Sequence, residues 1–250
     1  MIELKNVSAG YGKKNILGGM NLSFEKGSLT SVIGVNGCGK STLLKAILGI
    51  LPLSAGEIVI DGIDLRAMRG GEIAKKLAYL SQGKSTPDMT VGQLVLHGRF
   101  PYLSYPRRYR QADREMARKA MEEAGVAHLA DKPLRELSGG MRQNAYIAMA
   151  LAQDTDYILL DEPTTYLDIA HQLELMRLLK RLAESGKGIV TVMHDLPLAF
   201  DFSDTVAVIR DGTAVAHARP SELCESSVIH EIFGVKTERS AENRFYYTYL

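Results

Sequence analysis

Residues 34–42 read Gly-Val-Asn-Gly-Cys-Gly-Lys-Ser-Thr, a G-x-x-x-x-G-K-S spacing suited to cradling phosphate. Gly34, Gly37 and Gly39 let the backbone turn without side-chain obstruction, so consecutive N–H groups can point at anionic oxygens. Lys40 brings a full positive charge to the β and γ phosphates of a nucleotide, and the Ser41 hydroxyl is placed to ligate Mg²⁺. Val35, Asn36, Cys38 and Thr42 complete the loop and stand with these residues as nucleotide-binding candidates. The flanks agree: residues 28–33 predict a short buried strand, and residues 41–48 a helix whose positive N-terminal end faces the anion. Between Gly37 and Gly39 and close to Lys40, Cys38 is expected to favour its thiolate and to react with maleimides unless nucleotide shields it.

A second stretch, Tyr-Ile-Leu-Leu-Asp-Glu-Pro at 157–163, predicts a buried strand that ends in two adjacent carboxylates. Beside a phosphate loop, an acid at the carboxyl end of a parallel strand is where Mg²⁺ is held, which assigns Asp161. Glu162 remains to orient an attacking water and accept its proton. Ser138-Gly139-Gly140 predicts a helix start with Ser138 as cap and a bare backbone, a further place for an anion. It lies in a different part of the chain from the phosphate loop, so a natural use for it is to complete the site of a second copy. Tyr11, upstream of the loop, offers a ring on which a purine can stack.

The elements that must position these groups alternate. Residues 2–8 and 22–24 predict strands, 56–62 a strand with an Asp-Gly turn, and 77–81 a strand that ends at Gln82. From about 83 to 137 no β-rich run appears, and 111–124 has helical periodicity closed by Gly125, so an inserted helical part is expected. Its basic patch, Arg107-Arg-Tyr-Arg110, predicts a solvated face. Helices are expected at 140–153 and 169–184, a strand at 188–193, and a hairpin at 205–216 about Asp211-Gly212. The tail is expected to be helical from 221 to 233. Strands alternating with helices predict an α/β fold with a mostly parallel sheet covered on both faces.

With 30 basic and 29 acidic residues among 250, the net charge is +1, which argues against affinity for a large polyanion, so no nucleic-acid partner is expected. The N-terminus has no apolar signal core, and no apolar run is long enough to span a bilayer. The two cysteines cannot form a disulfide framework, and a reducing cytosol is expected.

The phosphate loop, Gln82, Leu-Ser-Gly-Gly at 137–140, Ile-Leu-Leu-Asp-Glu-Pro-Thr at 158–164, Tyr-Leu-Asp ending at Asp168, and His194 occur in the order and spacing of the ATP-binding cassette (ABC) ATPases. The resemblance covers essentially the whole chain. Residues 95–102, 148–156 and 163–172 resemble the branch that powers uptake of iron–siderophores, heme and cobalamin. This resemblance implies a P-loop ATPase core (about 1–86 and 146–220) with a small antiparallel β subdomain, an inserted helical subdomain (about 87–145) and a C-terminal tail (221–250). It implies that Tyr11 stacks on adenine, that Gln82 senses Mg²⁺ and the attacking water, that Glu162 is the base, and that His194 contacts the γ-phosphate. Ser138, Gly139 and Gly140 would bind ATP held by the partner of a homodimer, with Asp168 at the seam. Two membrane permease subunits, an extracytoplasmic substrate-binding protein and a peripheral position on the cytoplasmic face of the membrane follow. The alternative is the ATPase of an exporter or another non-importer ABC system. Arg99, Phe100, Pro101 and Tyr102 are candidate contacts to the permease, the alternative being that Phe100 and Tyr102 pack within the helical part while Arg99 is a surface charge. The sequence departs from the family at Met141, where Gln is usual, and at Asn144, where this branch often has Arg.

Overall fold

Three runs of apolar and β-branched residues, Leu29–Ile33 (β3), Tyr157–Asp161 (β7) and Gly188–Val192 (β8), are buried at every position, as strands inside a sheet covered on both faces must be. The computed structural model describes residues 1–12, 14–82, 86–165, 167–240 and 244–249. In it these strands form a six-stranded sheet with Leu77–Leu80 (β6), Thr205–Arg210 (β9) and Thr213–Ala218 (β10), in the order β10-β9-β3-β8-β7-β6. All neighbouring pairs are parallel except β9 with β10, which turn at Asp211-Gly212. A second sheet, antiparallel and ordered β2-β1-β4-β5, comprises Ile2–Tyr11 (β1), Lys14–Phe24 (β2), Leu53–Ile60 (β4) and Ile63–Asp64 (β5).

Because side chains alternate along a strand, the parallel sheet feeds two cores. Ile158, Leu160 and Ile189 point to a core built with the helices Val91–His97 (α3), Gln111–Glu123 (α4), Gly139–Ala152 (α5), Ile169–Glu184 (α6) and Leu196–Phe202 (α7). Tyr157, Leu159, Val190 and Val192 point the other way, toward Lys40–Ile47 (α1) and the antiparallel sheet. Below the sheets, at the ends of the strands away from the phosphate loop, Asp61 accepts hydrogen bonds from the Met1 ammonium at 2.9 Å, from Lys76 at 2.8 Å and from the Tyr157 hydroxyl at 2.7 Å. Lys26 lies 3.1 Å away, and Lys76 ends Gly70–Lys76 (α2), so this one carboxylate ties both sheets and a helix together.

Helices α3, α4 and α5 pack against one another, and a buried ion pair holds the connection between the first two. The Arg99 guanidinium donates to Asp113 at 3.2 Å and to the Ala152 carbonyl at 2.8 Å. It lies 3.9 Å from the centre of the Tyr102 ring, whose hydroxyl donates to the Asp154 carbonyl at 3.1 Å. This corrects the expectation for Arg99, which is buried and engaged inside the chain because the end of α5 leaves carbonyls that need donors; Tyr102 is half-buried beside it. Phe100 remains 48% exposed, with the Arg107 guanidinium over its ring.

The tail is helical to Phe233, as expected, and beyond it, where the sequence carries no local signal, forms strands. After Pro220–Glu225 (α8) and Val228–Phe233 (α9), the strands Val235–Arg239 (β11) and Phe245–Tyr249 (β12) form a hairpin. Phe245 meets Phe200 edge-on at 5.5 Å, and Asp201 accepts from Arg244 and from the Phe245 amide.

Candidate nucleotide-binding and hydrolysis site

The strand order places the carboxyl ends of β3, β8, β7 and β6 side by side, and each is followed by one of the groups singled out in the sequence. The chain leaves β3 at Gly34, where a Cβ would stand 2.3 Å from the Ile209 carbonyl oxygen. It turns through left-handed backbone at Gly37 (φ 79°) and Gly39 (φ 110°) before α1 begins at Lys40, which is conformational space that glycine enters without penalty. The Lys40 ammonium reaches back to donate to the carbonyls of Gly34 at 2.8 Å and Val35 at 3.2 Å, so the loop arches over its own lysine.

Cys38 does not behave as the sequence suggested. Its side chain is only 5% exposed and packs under Gly34. Burial pushes the thiol up, and the nearby Lys40 charge does not offset it. The expectation of a reactive thiolate is therefore corrected, because the side chain faces the apolar core of α1 and the antiparallel sheet instead of the anion site.

Across the loop, the Ser41 hydroxyl donates to Asp161 at 3.0 Å, and the Tyr79 hydroxyl donates to the other carboxylate oxygen at 3.3 Å. Burial pushes the Asp161 carboxyl up, and the adjacent Glu162 charge acts in the same direction. Burial and Asp161 also push the Tyr79 hydroxyl up. Two hard oxygen donors beside a positive phosphate loop, one of them an ionisable group short of positive compensation, fit a magnesium ion that takes its remaining ligands from phosphate and water.

Glu162 sits one residue past β7 with a left-handed φ of 50°, a costly conformation that tends to persist where function requires a side chain to be aimed. Three groups meet its carboxylate: Gln82 donates at 2.5 Å, His194 Nε2 lies at 2.6 Å, and Thr165 donates at 3.3 Å. Glu162 also borders a cleft of about 240 Å³ with Asn36, Gly37, Gly39, Lys40, Ser41 and Thr42. Tyr11 lies at the rim, half exposed, its hydroxyl accepting from Lys45 at 3.4 Å. Ile16, which lines the same cleft, Tyr79 and Thr165 were not anticipated. Tyr79 and Thr165 lie in already recognised stretches, but nothing in the local pattern sets Ile16 apart from any other strand residue.

Ser138 and Gly139 do not line this cleft. Ser138 caps α5, its oxygen accepting from the Met141 amide at 3.3 Å, as the sequence predicted. Gly139 borders a separate hollow of about 220 Å³ with Gln82, Arg142, Asp161 and Glu162. Asp168 caps α6 by accepting from the His171 amide at 2.9 Å, and that N–H, with the His171 ring, holds its carboxyl below the usual range. Tyr166 of the Tyr-Leu-Asp triplet, and residues 83–85 where the helical insert was expected to begin, lie outside the described residues. The Met141 side chain is exposed, and Asn144 lies with Glu123, Glu174 and Arg177 between α4 and α6, so the two departures from the family pattern sit outside the phosphate cleft.

A parallel sheet whose carboxyl edge carries a phosphate loop, an Asp-Glu pair, a glutamine and a histidine, together with a serine-capped helix that opens on two glycines, defines an ATP-binding cassette. The sequence profile of the ABC transporter family matches residues 17–165, and the chain belongs to that family. It is 40% identical over 246 residues to the petrobactin import ATP-binding protein FpuD of Bacillus anthracis, covering 98% of this chain and 90% of that protein. It is 41% identical over 239 residues to the iron(3+)-hydroxamate import ATP-binding protein FhuC of Bacillus subtilis (strain 168), covering 95% and 89%. Among solved structures, it superposes with a TM-score of 0.75 at 30% identity on a dimeric ATP-binding cassette in a post-hydrolysis state bound to ADP and Pi, covering 88% of this chain and 99% of that one.

Proposed function

We propose that this chain is the ATP-hydrolysing subunit of an ABC importer for a metal chelate of the iron–siderophore, heme or cobalamin type. It works as a homodimer on two permease subunits, peripheral to the cytoplasmic face of the membrane, with a substrate-binding protein on the far side. The observation that carries hydrolysis is the meeting of Gln82 and His194 on the Glu162 carboxylate, beside a phosphate loop. Full-length likeness to subunits named for the import of two chemically different iron chelates supports the cargo class.

In this reading the loop amides and Lys40 hold the β and γ phosphates while Tyr11 stacks on adenine. Ser41 and Asp161, with Gln82 beside them, would hold Mg²⁺, which when bound neutralises charge on the phosphate oxygens. Glu162 orients water and takes its proton. His194 fixes the Glu162 carboxylate and, with ATP present, reaches the γ-phosphate, where positive or hydrogen-bonding groups stabilise developing charge. Ser138, Gly139 and Gly140 of one copy face the nucleotide of the other, and Asp168 lies at the seam. Their absence from their own chain's phosphate cleft supports this division.

The test is uptake of radiolabelled ferric siderophore, heme or cobalamin into vesicles holding this subunit with its cognate permease and binding protein, with ATP on the side of the subunit. Uptake that needs ATP and is lost in Lys40→Ala supports the proposal. ATP hydrolysis with no uptake of any ferric siderophore, heme or cobalamin, or with outward transport, returns the chain to the exporter alternative.

A further inference from the structure

We infer that His171 is a positioning residue that ties the Ser138–Gly140 turn to Asp168, so that two segments assigned to the dimer seam move as one body. The inference rests on the homodimer proposed above and deepens it.

The two glycines after Ser138 stand in different surroundings. A Cβ added to Gly139 would meet nothing within 4 Å, whereas one added to Gly140 would stand 2.6 Å from Cδ2 of His171 and 3.0 Å from its Cγ and Nε2. Gly140 is therefore glycine for an internal reason, to let the imidazole lie flat against the start of α5. Gly139 is open toward whatever approaches from outside.

The other edge of the same ring is engaged as well. His171 Nδ1 lies 2.9 Å from both carboxylate oxygens of Asp168, whose Oδ1 also accepts from the His171 amide. The ring thus touches the start of α5 on one side and the cap of α6 on the other. The intervening loop is gripped from both helices too: Gln143 of α5 donates to the Pro163 carbonyl at 2.8 Å, and Gln172 of α6 donates to the Leu167 carbonyl at 3.2 Å. Segments already fixed to each other lose less freedom when a partner closes on them, and association is stronger for it.

The experiment uses the full chain carrying Glu162→Gln, in which an ATP-bound dimer should persist, and reads the dimer by sedimentation velocity across an ATP titration. Adding His171→Ala should raise the ATP concentration for half-dimerisation about 10-fold, equivalent to roughly 1.4 kcal/mol. Affinity for a fluorescent ATP analogue in the monomer should stay the same, because the Lys40 and Ser41 cleft is untouched. His171→Asn keeps a donor for Asp168, and His171→Phe keeps the flat ring, so each should recover part of the loss. Dimerisation of the His171→Ala protein at the ATP concentration of its parent overturns the inference. A second arm needs no dimer: Gly140→Ala should lower the melting temperature and the further change His171→Ala should restore it, while Gly139→Ala leaves it unmoved. If the parent fails to dimerise, the homodimer reading falls, and lack of compensation between positions 140 and 171 then overturns the tie on its own.

Discussion

His194 Nε2 lies 2.6 Å from Glu162 Oε1, so the residue that follows β7 and the residue just past β8 form one unit across neighbouring strand ends. The contact fixes the direction of a carboxylate that the left-handed backbone at Glu162 has already turned outward, a supported base being the arrangement that proton abstraction from water needs.

Replacing the base proposed at Glu162 should separate binding from chemistry. Glu162→Gln keeps the shape and the capacity to accept a hydrogen bond but removes the charge. Steady-state ATPase turnover should fall by at least about 100-fold, while ATP affinity is retained and a nucleotide-bound dimer accumulates on size exclusion. Turnover near that of the parent would remove Glu162 from the role of base.

Cys38 should be slow to alkylate at neutral pH. Burial raises its thiol above the ordinary value of 9.0, so little thiolate exists at pH 7, and its fraction should climb about 10-fold per pH unit until the raised value is passed. Peptide mapping of maleimide-labelled protein from pH 7 to 9 (roughly the accessible window) should show Cys38 modified far more slowly than in the urea-unfolded chain. Equal rates in the two states would restore the reactive thiolate.

Arg99→Ala should destabilise the isolated chain. It leaves Asp113, itself buried, without its guanidinium and strips a donor from the Ala152 carbonyl, a loss worth about 3–5 kcal/mol when one partner of a buried pair is removed. Urea unfolding followed by circular dichroism measures it. A midpoint equal to that of the parent would show the pair to be dispensable and reopen Arg99 as a surface contact.

Asp61 should make the stability of the fold fall with acid. Burial by itself would raise this carboxyl, but Lys76, the Met1 ammonium, Tyr157 and Lys26 together hold it far below the usual range. A carboxyl lower in the folded than in the unfolded chain adds stability that is present above the unfolded value of about 4 and is lost as pH falls below it. Asp61→Asn should therefore cost about 2 kcal/mol near neutrality. The cost should shrink as pH falls below about 4 without vanishing by about pH 2, because the folded carboxyl stays ionised there, which urea midpoints across that range would show. An equal cost at both ends would mean that packing, not ionisation, accounts for Asp61.

The sequence by itself determined the local chemistry and the fold class. The glycine spacing at 34–39, the carboxylates ending an apolar run at 161–162 and the Ser138 cap are each written in adjacent residues, because phosphate cradles, strand ends and helix starts are short-range devices. The alternation of apolar runs with helical periods predicted the parallel sheet, and the family resemblance supplied the order of its motifs.

Only the tertiary structure decided where side chains point and who meets whom. Arg99 reads as a candidate interface residue in sequence, yet the open carbonyl of Ala152 at the end of α5, some fifty positions away, draws it inward. Cys38 shares a loop with Lys40, but it turns into the core while the lysine turns back to the carbonyls of Gly34 and Val35. The partners Ser41 and Asp161 lie 120 residues apart, and Gln82 and Glu162 lie 80 apart. Such meetings are set by strand order, which no local pattern encodes, because it results from the burial of the whole sheet between two cores.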